Sequence, residues 1–190
     1  MSFRVDPRIS EEAAAKWQLA LDRIEEESDQ RLRSNLEVVL RHVEAEYLGD
    51  ISTIMGTMAP YPRHEYVGID KESPVGYEAV KAVYEAENKK GHRIFEFTGV
   101  WVDKAAVVIE GVAYETGTGE RFDKEGLGGG QLEPDRRYIS EGKLLIVSPI
   151  DNNGLIECER VYWESMPQVT GPLIDGHGYL EPAFLDGAWE

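Results

Sequence analysis

The hydrophobic period of this chain changes once, near residue 92, and that change restricts the fold more than any other feature. Upstream of it, apolar residues recur at helical spacing. Trp17, Leu21 and Ile24 follow a Ser10 cap and the acids Glu11 and Glu12, which suit the positive end of a helix. Leu32, Leu36, Val39, Leu40, Val43 and Tyr47 form a longer stripe, with Glu37 and Arg41 one turn apart on the polar side. Gly49 ends that helix, and Asp50 caps a short one over residues 51–58. Ala59-Pro60-Tyr61-Pro62 stops helix formation, and a short strand over 63–69 follows. Ser73-Pro74 then opens a helix that buries Tyr77, Val80 and Tyr84 and stops at Gly91.

Downstream the period is that of strands. Residues 93–102 and 105–116 alternate and are joined at Asp103-Lys104. Residues 137–150 and 155–164 alternate and are joined by Asp151-Asn152-Asn153-Gly154, a strong turn signal. Between the pairs, 117–135 is rich in glycine and charge and reads as a long loop, and 166–190 reads as an irregular arm. Helices followed by an antiparallel meander imply an α+β fold with the helices on one sheet face. No linker or internal repeat divides the chain. The expectation is one domain over 1–190: an N-terminal helical extension at 1–29, a core at 30–165 and the C-terminal arm.

Composition narrows the function. A formal net charge of −16 repels phosphate backbones, so neither nucleic acid nor an anionic membrane surface is expected as a partner. No run approaches the roughly 18 apolar residues of a membrane helix, and residues 1–10 lack the apolar stretch of a signal peptide, so a cytoplasmic location is expected. The single cysteine, Cys158, permits neither an intramolecular disulfide nor a thiolate metal cluster, and its strand position suits a packed thiol. No HExxH, paired cysteines, calcium loop, phosphate-binding loop or G-x-S-x-G elbow is present, so no metal site is expected.

Two segments carry a family resemblance. Tyr47-Leu48-Gly49-Asp50 closes a long helix, and the last strand runs from Gly154-Leu155-Ile156 to Tyr162-Trp163-Glu164. Over residues 30–165 the chain resembles the SnoaL-like branch of the nuclear transport factor 2 superfamily. The resemblance implies a cystatin-like cone, in which helices pack on a strongly curved antiparallel sheet around a cavity. It also implies chemistry without metal or organic cofactor, and a homodimer or higher homo-oligomer. The extended N-terminus, the glycine-rich loop and the Pro/Gly tail are similar to those of bacterial diarylpropane lyases. That likeness implies a cofactor-independent lyase that eliminates formaldehyde from a lignin-derived aromatic substrate. Within the same superfamily the alternatives are an isomerase, cyclase or hydrolase of an apolar small molecule, or a non-catalytic binding or assembly module.

The candidate chemistry follows from strand parity. On the last strand Ile156, Cys158, Arg160, Tyr162 and Glu164 share one face, while Glu157, Glu159, Val161 and Trp163 share the other. Two acids on the second face suit solvent. The family's habit of placing an acid ten residues after the turn glycine points Glu164, and with it Arg160 and Tyr162, inward. Arg160 and Glu164 then form either a structural ion pair or a cation and base acting on substrate. His64 and Tyr66 share a face of the first strand, where histidine is the natural acid or base near neutral pH. The expected catalytic set is therefore His64, Tyr66, Arg160 and Glu164. Tyr47, Tyr61, Tyr84, Trp101, Tyr138 and Tyr162, with Glu110 interrupting an apolar strand, are the expected substrate-binding residues for a small aromatic or apolar substrate. His42 on the polar side of a helix and His92 at a strand start read as structural, Asp50 as a cap, and His177 reaches a site only if the tail folds back. Val161 and Trp163 are expected on the outer sheet face as interface residues.

Overall fold

A computed structural model describes residues 3–165, 167–173 and 180. The N-terminal segment forms α1 (Glu11–Ala15) and α2 (Gln18–Glu26), separated at Lys16 and Trp17 rather than continuous. The Lys16 carbonyl at this break accepts the Phe97 N–H at 2.9 Å, which ties the break to a strand edge. Ser10 caps α1 through the Ala13 N–H, as its sequence position implies. The longest helix, α3 (Gln30–Leu48), starts at the Asp29 cap and ends at Gly49, whose φ of 67° is the left-handed conformation that glycine tolerates. Asp50 caps α4 (Ile51–Gly56) through the Thr53 N–H.

The first strand, β1 (Met58–Val67), begins earlier than the prolines suggest. Pro60 and Pro62 fall in the irregularity between Met58 and Arg63, on an edge strand, where a missing N–H costs no ladder bond. Helix α5 (Tyr77–Asn88) starts after Gly76, not at the Ser73-Pro74 signal. The strands β2 (Arg93–Val102), β3 (Ala106–Thr118), β4 (Arg137–Pro149) and β5 (Ile156–Trp163) follow the alternation of the sequence. The glycine-rich loop contains a short helix, α6 (Gly119–Lys124), capped by Thr118. In the segment expected to be irregular, β6 (Gln168–Pro172) pairs with β4. His177 lies outside the described residues.

The α+β class stands, but the cone does not. The sheet has the order β1-β5-β4-β3-β2, with β6 alongside β4, and it is open, with β1 and β2 at its edges. It is also mixed, because β1 runs parallel to β5 while the other pairings are antiparallel. The expected strongly curved, wholly antiparallel sheet is thus replaced by an open mixed one. Alternation identifies strands and faces, but it carries no information on the direction of a partner remote in sequence. Among the described residues no helix is long and apolar enough to cross a membrane.

One large apolar cluster joins α1, α2, α3, α4 and α5 to the sheet, including Trp17, Leu36, Leu40, Tyr47, Ile54, Val80, Ile109 and Ile156. Trp17 is fully buried and meets Tyr47 edge-on, with ring centroids 5.7 Å apart. The N-terminal helices therefore contribute to the same core as the rest. A smaller cluster of Leu144, Ile146 and Val161, with Phe95, Ala113 and Trp163 against it, covers the same face of the sheet nearer its other end. Burying a tryptophan at full depth makes its truncation costly, so Trp17→Ala is expected to lose about 3–5 kcal/mol of unfolding free energy. Urea denaturation measures this, and an unchanged midpoint would contradict the shared core.

Candidate active site

Four elements converge on one buried carboxylate. Strand β5 supplies Glu159, which is only 5% exposed. Its neighbour β1 brings His64 level with it, since the two residues are register partners. Helix α3 supplies His42 and Glu46 one turn apart, and α5 supplies Tyr84. The Tyr84 hydroxyl donates to Glu159 Oε2 at 2.6 Å. His64 Nδ1 lies 3.2 Å from the same oxygen, but out of line, so it has no hydrogen-bond partner. His42 Nε2 stands 3.1 Å from the Tyr84 oxygen, 3.1 Å from Glu46 Oε1 and 3.8 Å from Glu159 Oε2.

The proton count of His42 follows from its partners. Thr57 Oγ1 gives its hydrogen to the Ile54 carbonyl, so it accepts from His42 Nδ1. Tyr84 spends its hydrogen on Glu159, so His42 Nε2 has only acceptors around it. Both ring nitrogens are then donors and the ring is an imidazolium. Burial opposes this charge, but hydrogen bonds and charge from Glu159 and Glu46 outweigh it and lift the pKa to about 9. Burial would likewise raise Glu159, yet the two histidines beside it hold its carboxyl well below the usual range. Burial and the nearby carboxylates of Glu159 and Glu46 push the Tyr84 phenol well above its ordinary value. Arg93 extends the network, with Nη2 3.2 Å from Glu46 and Nη1 3.6 Å from Glu87. Burial works against the Glu87 charge, but Arg93, Lys90 and Lys71 bring its pKa down to about 2.

Above this network is a cavity of about 240 Å³. His64, Glu159, Glu46 and Arg93 line its polar side, and Phe95, Leu144, Ile146, Val161 and Trp163 line its apolar side. Tyr66 and Lys71 also line it. The Tyr66 ring packs on His64 at 4.6 Å, and the Lys71 ammonium sits 3.8 Å from the Tyr66 centroid while reaching Glu87 at 3.4 Å. Burial, with the Glu87 and Glu159 charges, keeps the Tyr66 phenol protonated. A hydrophobic chamber of this kind, with an imidazole and a phenol in its wall, can exchange protons with an apolar guest.

His42 Nε2, Glu46 Oε1 and Glu159 Oε2 lie within 4.8 Å of one another, the spacing of metal ligands. The Tyr84 hydroxyl occupies the middle of that group through its bonds to two of them, and His42 Nε2 carries a proton that a metal would have to displace.

The structure redistributes the expected site residues. His64 and Tyr66 share the cavity, but Arg160 and Glu164 do not join them. Arg160 pairs with Glu65 of β1 on the opposite face of the sheet, and Glu164 is exposed. The parity of β5 is the reverse of the expectation: Glu159, Val161 and Trp163 face the helices and cavity, so Val161 and Trp163 are not outer-face residues. Solvent was the wrong destination for Glu159 because Tyr84, His42 and His64 together neutralise its burial. Tyr162 is 38% exposed on the outer face, and Trp101 (54%) and Tyr61 (73%) are exposed too. Glu110 is exposed beside Gly99. Tyr138 is buried, and its oxygen accepts the Glu133 N–H. Tyr47 belongs to the apolar core, while Tyr84 sits beneath the cavity as a partner of Glu159. His42, expected on a polar helix face, is 3% exposed. The signals available for this network were the one-turn spacing of His42 and Glu46 and the apolar companions of Glu159 on its strand face. Cys158 is fully buried, and burial first, then Glu65, raises its thiol to about 12, which removes it as a nucleophile.

No family model matches this sequence, and no curated protein matches it. Solved structures do. The chain is similar to the epoxide hydrolase/cyclase-like enzyme SalBIII of pyran ring formation in polyether salinomycin, at 18% identity and a TM-score of 0.53, over 69% of this chain and 91% of that one. It is similar to a protein assigned as a SnoaL-like polyketide cyclase from Jannaschia sp. CCS1, at 17% identity and a TM-score of 0.56, over 73% and 91% of the two chains. A third is an LEH-like epoxide hydrolase of M. tuberculosis, at 16% identity and a TM-score of 0.52, over 69% and 83%. The resemblance read from the sequence is met at the level of the fold, which these proteins share.

The proton assignments carry a pH signature. His42 has a folded pKa of about 9, above its unfolded value, so its contribution is complete below the unfolded pKa and is lost as pH rises through about 9. Glu159 is depressed, so its contribution is present above the unfolded carboxylate pKa and is lost in acid. Thermal unfolding is expected to show declining stability from neutral pH to beyond pH 9, of the order of 3 kcal/mol. His42→Gln should flatten that alkaline limb. A limb equally steep in the variant would contradict the imidazolium assignment.

Proposed function

We propose that this protein is an enzyme that moves a proton on a small apolar molecule, as an isomerase, cyclase or hydrolase. The observation that carries the reading is His64, which lines a chamber with one apolar side and is backed by the buried Glu159 carboxylate. In this reading Glu159 favours a proton on the Nδ1 edge of His64. The other nitrogen then accepts a proton from a carbon beside a carbonyl, or from a water that opens an epoxide. The same proton returns to a second carbon of the substrate, or to the alkoxide oxygen, so the ring is restored at the end of the cycle. The Tyr66 phenol and the Arg93 guanidinium are the groups nearest to hand for the negative charge that develops on the substrate oxygen.

The cavity volume of about 240 Å³ lies just below the roughly 300 Å³ at which small-molecule sites usually begin, which favours a compact guest. SalBIII and the two other structural relatives carry hydrolase or cyclase names, which agrees with this class of chemistry. The formaldehyde-releasing lyase reading used Arg160 as the cation and Glu164 as the base acting on substrate, with His64 or Tyr66 as the acid. Both Arg160 and Glu164 lie away from the chamber, so the isomerase, cyclase or hydrolase alternative is preferred.

The test is a panel of enolisable ketones and alicyclic epoxides incubated in deuterium oxide or in heavy-oxygen water, with mass-spectrometric analysis. Deuterium at carbon marks isomerase or cyclase chemistry, and heavy oxygen in a diol marks hydrolysis. His64→Gln is expected to lower the rate by about 10²–10⁴-fold, as loss of a general base does, whereas Arg160→Gln leaves it unchanged. Undiminished turnover in His64→Gln would remove the assignment, and formaldehyde release from aromatic dimers would restore the lyase reading.

A further inference from the structure

A second and larger cavity, of about 420 Å³, lies where the C-terminal ends of α3 and α5 meet the start of β2. Leu48 and Ile51 give it an apolar wall. Gly49 contributes a wall without a side chain, and a Cβ there would stand 3.5 Å from the Asn88 amide nitrogen. The polar wall is distinctive for what its groups lack. Asn88 is half-buried and Lys89 exposed, and among the described residues neither side chain has a hydrogen bond or ion pair within the protein. His92 is 5% exposed, and its Nε2 has no partner. Burial, and then the charges of Arg93 and Arg137, bring the His92 pKa down to about 3, so its ring is neutral.

The carboxylates that border this cavity are already engaged. Glu46 is paired with Arg93 at 3.2 Å, and Glu85 with Lys81 at 3.1 Å. With Arg93 and Lys89 on the same wall the charges balance, so the lining offers an anion no net attraction. The carbonyl ends of two helices also oppose an anion. Unengaged donors, Asn88 and Lys89, remain to meet an oxygen acceptor, while Leu48 and Ile51 meet an apolar body. We propose that this cleft is a second ligand site, taking a small uncharged molecule with an apolar body and a carbonyl or ether oxygen. The site goes beyond the acid–base reading and does not use His64. It is not independent of that chamber, however, because Glu46 and Arg93 line both cavities. A guest that biases the Arg93–Glu46 pair from one side therefore alters the affinity on the other, and the coupling is reciprocal.

Fluorine NMR titration of the full chain with fluoroacetophenone, an aromatic ketone, tests this. The wild-type protein is expected to bind two equivalents. Ile51→Trp fills the second cavity and should abolish one binding event, while keeping the other and keeping any turnover at His64. Ala113→Leu narrows the His64 chamber and should remove the complementary event. Circular dichroism checks that both variants fold. If Ile51→Trp does not, Asn88→Leu removes the donor without adding bulk and should weaken the same event by about tenfold, the value of one hydrogen bond near 1.4 kcal/mol. A single equivalent that Ala113→Leu removes, or two equivalents that survive both Ile51→Trp and Asn88→Leu, would overturn the second site. Loss of turnover in His64→Gln is read separately, so failure of one proposal is distinguishable from failure of the other.

Discussion

A carboxylate buried on a sheet face is the constraint on which the site depends. Removing an ionised group from water costs several kcal/mol, and that cost is offset only by partners held in good geometry. Glu159 accepts a hydrogen bond from the Tyr84 phenol of α5 and has His42 of α3 and His64 of β1 close beside it. These contacts join α3 and α5 to β1 and β5 in addition to the apolar core. The parallel pairing of β1 with β5 sets His64 opposite Glu159. His64 must sit beside Glu159, and the long excursion through α5 that returns the chain to β2 also delivers Tyr84 to the same carboxylate.

Charge then propagates outward in alternating sign. The imidazolium of His42 faces Glu46, Glu46 faces Arg93, Arg93 faces Glu87, and Glu87 meets Lys71 and Lys90 near the surface. Each charge in this chain has a neighbour of opposite sign, so removing a buried member such as Glu46 leaves another without its partner. The chamber gains a fixed electrostatic environment from this arrangement, while its remaining walls are Phe95, Leu144, Ile146, Val161 and Trp163. Preorganised dipoles and charges in a dry cavity act more strongly on a reacting group than they would in water.

Much of the fold was legible in the sequence because it rests on local chemistry. The period change near residue 92, the Asp50 cap, the Gly49 terminus and the Asp151–Gly154 turn are all decided within a few residues of chain. The direction of β1, the break at Trp17 and strand β6 were not legible, since each depends on a partner far away in sequence. The site was half legible for the same reason. His64 and Tyr66 could be placed on one face by parity alone. Parity cannot say which face is inside, however, and counting acids sent Glu159 to solvent and Arg160 inward. The inference failed because a buried glutamate looks unfavourable until Tyr84, His42 and His64, remote in sequence, are seen to surround it. The expected curvature failed differently: it came from the resemblance, and the open mixed sheet does not follow it.

The most direct test of this electrostatic account is the side-chain nitrogen NMR spectrum of the four histidines near neutral pH. The network predicts that His42 shows two protonated nitrogens, while His92 stays neutral well into the acid range. A neutral His42 at neutral pH would contradict the account. Tyr84 and Glu159 would then have to be held by some other arrangement of protons, and the positioning of His64 would lose its foundation.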